Sequence, residues 1–317
     1  MDLKISDSTS RPLETTAAVL PVAPNIAAPS APPNDAATLA PLPDQPRILI
    51  ESEAAGVRLN LAELWEYREL LYFLTLRDVK VRYKQTLLGA AWVIVQPLCT
   101  MLIFTLIFNR FAKLDAGVLP YPLFAYAGLL LWVFFSNAVI NGTNSLTNNT
   151  NLVTKVYFPR LFLPAAAVGA GLVDLAIASL ILIALVIFYD VAAAWSWLLL
   201  PAFVGLTLLL SLGVGMLVSA LTVKYRDLKH VLPFLIQFWL FASPVIYPSG
   251  LVPGRWRWLL AINPLTGILE GFRAALAGGG DKFDWPVIAI SAALTGTVLV
   301  CSLYVFRRVE DTFADLI

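Results

Sequence analysis

Charged and apolar residues are segregated along this chain into long blocks. A basic run (Arg77, Lys80, Arg82, Lys84) leads with almost no spacer into 22 uncharged residues, Leu87–Phe108. At about 1.5 Å per residue, such a helix crosses a hydrocarbon core of roughly 30 Å. Apolar blocks of similar length recur at Pro122–Ile140, Leu161–Tyr189, Trp197–Val223, Val231–Tyr247 and Trp285–Phe306. The pattern predicts an all-α polytopic membrane protein with six transmembrane helices.

The segments between these blocks carry their own signals. Asn60 is placed to cap a helix, with Glu63 in the capping-box position. Leu61, Leu64, Trp65, Tyr67, Leu71 and Leu74 then gather on one side, and Glu63, Glu66 and Glu69 on another. An amphipathic helix ending beside a basic run lies along the cytoplasmic membrane surface, or else packs on a cytoplasmic partner. The polar stretch Asn141–Arg160 reads as a connection. Between Pro248 and Asp284, Asn263-Pro264 starts a helix through Leu265, Ile268, Leu269, Phe272, Ala275 and Leu276, and Gly278-Gly279-Gly280 stops it. Gly254–Leu260 is a second short amphipathic piece. Together they predict a re-entrant hairpin in the outer leaflet, packed on protein or lining a cavity.

Composition agrees with this class. The 317 residues are 59% hydrophobic and 14% charged, against about 25% charged in ordinary soluble domains. Residues 1–56 differ. Nine of the chain's 21 prolines fall within the first 50 positions, and such a segment buries too little surface to offset its ordering entropy. The reading is a disordered Pro/Ala-rich cytoplasmic tail, 1–56, followed by a transmembrane domain, 57–317. Counting cations near span ends gives eleven on one side (Arg77, Lys80, Arg82, Lys84, Lys155, Arg160, Lys224, Arg226, Lys229, Arg307, Arg308) and six on the other. That asymmetry places both termini in the cytoplasm. A net charge of +1 says nothing about partners by itself, and no nucleic-acid partner is expected. Cys99 and Cys301 fall in apolar runs and read as buried, inert thiols, and His230 has no neighbours to form a metal site.

Candidate chemistry is sparse. The chain has no GxxxxGK[ST], no GxGxxG after a strand and no HExxH, so any energy for transport comes from a partner or an ion gradient. Asp174 is a lone carboxylate inside a span with no basic residue in sequence reach. It reads as a proton-coupling group or as a neutral, hydrogen-bonded side chain. In LVTKVYFPR (Leu152–Arg160), exposed Val156, Tyr157 and Phe158 between Lys155 and Arg160 form a knob for another protein's groove, or a plain re-entry signal for the third span.

The order of the surface helix, RDVKVRYKQTLLGAAWVIVQPL, LVTKVYFPR, VKYRDLKH, SPVIYP and LLAINPLTGILEGFRAAL resembles the membrane subunit of type-2 ABC exporters for polysaccharides. These are the permeases for O-antigen, capsule and wall teichoic acid. The likeness runs from Leu61 to Arg308. It implies that Leu61–Leu76 is a gate helix and Pro253–Ala277 the external gate hairpin. It also implies that Lys155, Val156, Tyr157, Phe158 and Arg160 contact an ATPase subunit. The implied unit is a homodimer of permeases with two ATPase subunits, which bind ATP and Mg; this chain holds no cofactor.

The implied cargo is a polysaccharide on a polyprenyl pyrophosphate or another lipid, most often O-antigen, exported across the inner membrane. Arg77, Lys80, Arg82 and Lys84 are positioned to attract the pyrophosphate or simply to fix topology. Trp92, Tyr126, Trp132, Trp239, Phe241 and Tyr247 are candidate sugar-gliding faces or members of an interfacial aromatic belt. Two rivals remain open: an exporter of drugs or small lipids, and a membrane enzyme acting on polyprenyl-linked sugars. For the enzyme, Asp78, Asp227 and His230 are the cytoplasmic candidates, and each sits among basic residues.

Overall fold

The order of elements follows from where prolines and polar side chains interrupt the apolar blocks. The computed structural model of the chain describes residues 65–84, 89–113, 117–156, 158–310 and 313, all within one unit, Ala55–Ile317. The expected tail, the Asn60–Glu63 cap, Leu61, Leu64, Leu87 and Tyr157 lie outside these residues. Every regular element among the described residues is helical.

Helix α1 is Arg68–Lys84 and helix α2 is Gly89–Phe104, which runs on as a π-helical turn, Thr105–Phe111. In α1, Leu74 is buried and Tyr67, Leu70 and Leu71 pack beside it, while Tyr72, Phe73 and Val81 face outward. Trp65, from the expected apolar side, is 71% exposed and carries Arg68 over its ring. A helix apolar on both faces suits a surface where one side meets protein and the other meets lipid. Pro97 lies inside α2 and removes one backbone donor there.

Helix α3, Tyr121–Asn148, is the central rod. It is covered by α5 (Phe162–Phe188) and α6 (Leu200–Lys224), the latter entered through a 3₁₀ turn, Trp195–Leu199. Gly142 and Gly215 let α3 and α6 approach closely: a Cβ added to Gly142 would sit 3.5 Å from the Gly215 Cα. Small residues at such crossings are how membrane helices gain packing contacts. The second span was expected to end at Ile140, yet the helix continues eight residues into the polar stretch, to Asn148. Ser145 Oγ donates to the Gly142 carbonyl, Thr147 Oγ1 to that of Asn144 and the Asn149 amide to that of Ser145. These three side chains bond to carbonyls one turn back, whereas Thr143 Oγ1 is buried without a partner.

The fifth expected span, Val231–Tyr247, is also corrected. Helix α7 is Leu228–Ala242, 15 residues, or about 22 Å at the standard rise. It stops because Ser243 precedes Pro244 and adopts extended angles, φ −110° and ψ 147°, as a residue before proline prefers. Ser243, Val245 and Ile246 continue as buried irregular chain. Five helices are individually long and apolar enough to span: Ala91–Phe111, Tyr121–Asn148, Phe162–Phe188, Trp195–Lys224 and Trp285–Glu310.

The segment expected to form a re-entrant hairpin is a bent pair of helices, the geometry of a broken span or of a re-entrant loop. Helix α8 (Arg257–Ile262) and helix α9 (Pro264–Leu276) belong to a pair bent by 100°. Asn263 caps α9, its side chain accepting from the Leu265 N–H. Almost all of α9 is buried in protein, whereas Trp256, Trp258, Leu259 and Ile262 around α8 are exposed. Helix α10, Trp285–Glu310, closes the bundle against α6 and α9. A short helix, α4 (Thr150–Lys155), joins α3 to α5.

Two apolar clusters hold these rods. One surrounds α3; the other gathers Leu74, Val153, Phe158, Phe162, Met216, Phe306 and Phe313 at the ends of α1, α5, α6 and α10. Cys99 and Cys301, expected to be buried, sit exposed on the outer faces of α2 and α10.

Candidate functional site

Three places gather polar side chains on this apolar frame. The first lies where α1 meets α5. Arg82 Nη1 and the Tyr83 hydroxyl both donate to the Asp174 carboxylate. Asp174, read from the sequence as a proton-coupling group or a neutral, hydrogen-bonded side chain, is an ion-paired carboxylate. Burial first, and then the Asp174 hydrogen bond and charge, push the Tyr83 phenol up to about 12, so it remains a donor at neutral pH.

This pair forms one wall of a cavity of about 260 Å³. Trp92, Gln96 and Pro97 of α2, Asn137 and Asn141 of α3, and Gly171 and Leu175 of α5 also line it, with apolar Val93, Leu130, Val133, Phe134 and Ala178 between them. The other cations divide. Arg77 donates to Asp78 at 2.8 and 3.0 Å, while Lys80 and Lys84 are exposed. The four-residue basic run is thus two open ammonium groups and two guanidinium groups already engaged with carboxylates.

The second place is the α4 knob. Lys155 and Val156 are exposed, Val156 by 53%. Phe158 is not: it is 7% exposed and packed in the second apolar cluster. The correction has a simple cause, since Pro159 and the start of α5 turn the ring inward onto neighbours that exclude water. Arg160 is also turned inward. Its backbone N–H donates to Glu310 Oε1 at 3.0 Å and its guanidinium to the Glu310 carbonyl. Only the leading half of the expected contact set, Lys155 and Val156, is outward-facing among its described residues.

The third place lies at the far end. Arg273 of α9 is 5% exposed, and donates to the carbonyls of Phe124 (3.1 Å), Pro244 (2.6 Å) and Val245 (2.5 Å) while lying 3.6 Å over the Phe124 ring. Two of those acceptors belong to the segment freed when α7 breaks at Ser243-Pro244. A guanidinium with five fixed donors is well matched to carbonyls left without helical partners. Sequence reasoning passed over Arg273 as one more external cation. The signal was there in two charges, Glu270 and Arg273, one turn apart in an otherwise apolar helix, downstream of a proline break.

The six aromatic candidates separate cleanly. Tyr126 is fully buried with its hydroxyl donating to the Ala178 carbonyl at 2.8 Å, and Trp132 is 6% exposed. Both are core residues of α3 and cannot face a passage. Trp239 is half-buried, donating to Asn263 Oδ1 at 3.1 Å and meeting Phe135 edge to face, so it joins α7 to the hairpin. Trp92 and Phe241 are exposed and Tyr247 is half-buried. Among the described residues, no three His, Cys, Asp or Glu side chains gather to hold a metal.

Comparison with known proteins adds an independent line. The ABC-2 type transporter family matches residues 69–277. The chain is 29% identical over 257 residues to the O-antigen export system permease protein RfbA of Myxococcus xanthus, covering 80% of this chain and 98% of that protein. A Klebsiella pneumoniae O-antigen export system permease protein RfbA is 26% identical over 263 residues, covering 82% and 98%. The polysialic acid transport protein KpsM of Escherichia coli is 24% identical over 207 residues, covering 65% and 80%.

Proposed function

Because the chain belongs to the ABC-2 type transporter family, we propose that it is the permease half of an ATP-driven exporter for a lipid-linked polysaccharide, O-antigen foremost. The observation that carries this reading is the similarity to O-antigen export permeases along nearly their whole length. The unit proposed is two copies of this chain with two ATPase subunits in the inner membrane, both termini cytoplasmic. Two copies are needed because the helices of one fill their own core around α3, and a seam between symmetric subunits leaves room for a glycan.

In this scheme the exposed Lys155 and Val156 seat on the ATPase, and α1 acts as a gate at the inner-leaflet surface. Lys80 and Lys84 attract the lipid pyrophosphate as mobile point charges. Arg82, paired with Asp174 of α5, holds α1 in place, and Arg77 is occupied by its neighbour Asp78. Trp92, Phe241 and Tyr247 offer the outward aromatic faces along which sugars slide, and the α8–α9 hairpin gates the exit. ATP-driven closure of the partner pair moves the knob, and with it the seam.

Reconstitution tests the scheme. Proteoliposomes holding this chain with its ATPase and a polyprenyl pyrophosphate-linked glycan should hydrolyse ATP and translocate the glycan; the chain alone should do neither. Translocation by the isolated chain would refute it. A deletion strain that exports its surface glycan normally would instead assign the protein to drugs or small lipids.

A further inference from the structure

We infer that the cavity beneath α1 is a binding subsite for a neutral saccharide unit, the sugar next to the lipid phosphate; this rests on the glycan reading above. Three carboxamides line it, Gln96 on α2 and Asn137 and Asn141 on α3. The two asparagines are four residues apart and share a helix face. Gln96 and Asn137 are exposed although both lie within helices long and apolar enough to span a membrane. None of the three side chains makes a hydrogen bond among the described residues. Free amides at that depth need a polar neighbour, since hydrocarbon supplies no donors or acceptors.

The charge balance selects the ligand. Arg82 and Asp174 neutralise each other, and the Tyr83 hydroxyl takes a further carboxylate position. An anion entering the cavity would have to separate that pair and leave Asp174 uncompensated, which is costly in a half-buried place. A ring of hydroxyl groups needs no such exchange: each carboxamide both donates and accepts. Trp92, exposed at the rim, supplies a flat apolar face for the ring's C–H surface. At about 260 Å³ the space lies just under the roughly 300 Å³ where drug-sized sites begin, so it holds one part of a larger molecule. The phosphate remains outside, with Lys80 and Lys84.

Binding of two probes to the full permease–ATPase complex in nanodiscs tests this. One is a fluorescently labelled polyprenyl pyrophosphate; the other carries a disaccharide on the same lipid. The variants W92A and N137L/N141L should weaken the sugar-bearing probe roughly tenfold and leave the bare lipid within about twofold. The conservative N141Q, which keeps a carboxamide, should retain most of the sugar preference, and K80A/K84A should weaken both probes. Amide variants that weaken both probes alike, or neither, overturn the subsite. So does dissociation of the dimer by N137L/N141L in native mass spectrometry, which would place the amides at the subunit seam. If the wild-type complex binds neither probe, the glycan reading itself falls and takes the subsite with it.

Discussion

A guanidinium buried among helices needs an acceptor at each of its nitrogens, and Arg273 has one backbone carbonyl for each, with an aromatic face against the plane. Gly128 is part of the same arrangement, because a Cβ there would collide with the guanidinium. Removing the side chain strands the Pro244 and Val245 carbonyls in a buried irregular segment, at about 1–3 kcal/mol for each unpaired group. Arg273→Ala is therefore expected to lower thermal stability in detergent substantially. Arg273→Lys, which keeps the charge but not the fork, should fall between it and wild type. An Ala variant as stable as wild type would show that the break in α7 needs no such clamp.

At the scale of elements, the hairpin depends on a close approach that tolerates no side chain. A Cβ on Gly267 would come within 2.5 Å of both Ser291 Oγ and the Val287 carbonyl, and the Gly267 N–H already donates to Ser291 Oγ at 3.0 Å. Gly267→Ala should separate α9 from α10 and cost about 1–3 kcal/mol, the usual range for overpacking. Adding Ser291→Ala should restore only part of the loss, since the Val287 carbonyl stays in place; full rescue, read by thermal unfolding, would contradict the geometry. The same elements show how much was legible beforehand. Long uncharged runs announce rods because hydrocarbon admits little else, and Asn263-Pro264 announced the start of α9. The extension of α3 to Asn148 was not legible, because the decisive bonds run from side chains to carbonyls one turn back. Nor was the Arg82–Asp174 pair: its members are 92 positions apart, and no periodicity links them. Phe158 misled because aromatic residues between two cations look exposed until the chain beyond them folds back.

For the whole molecule, the question is how a push at one end reaches the other. Helix α10 is 26 residues, about 39 Å long, and is tied at both ends. At one end Arg160 holds Glu310 through backbone and guanidinium bonds and Phe313 packs on Phe306, while the Arg307–Glu310 contact at 3.2 Å stays within α10. At the other, Ser291 accepts from Gly267 of the hairpin, and the hairpin in turn grips α7 through Asn263–Trp239 and the segment after α7 through Arg273. In the proposed scheme, a displacement of the α4 knob would be carried along one rod to the hairpin, with no need for the central helix to deform. Glu310→Ala removes both carboxylate contacts and leaves the spans intact. In the reconstituted complex it is expected to keep ATP hydrolysis near the wild-type rate while lowering glycan translocated per ATP about tenfold, the loss of roughly one 1.4 kcal/mol coupling contribution. The measurement is the ratio of translocation to hydrolysis in the same vesicles. If that ratio is unchanged, α10 is a packing element only and the stroke travels through α3 and α6.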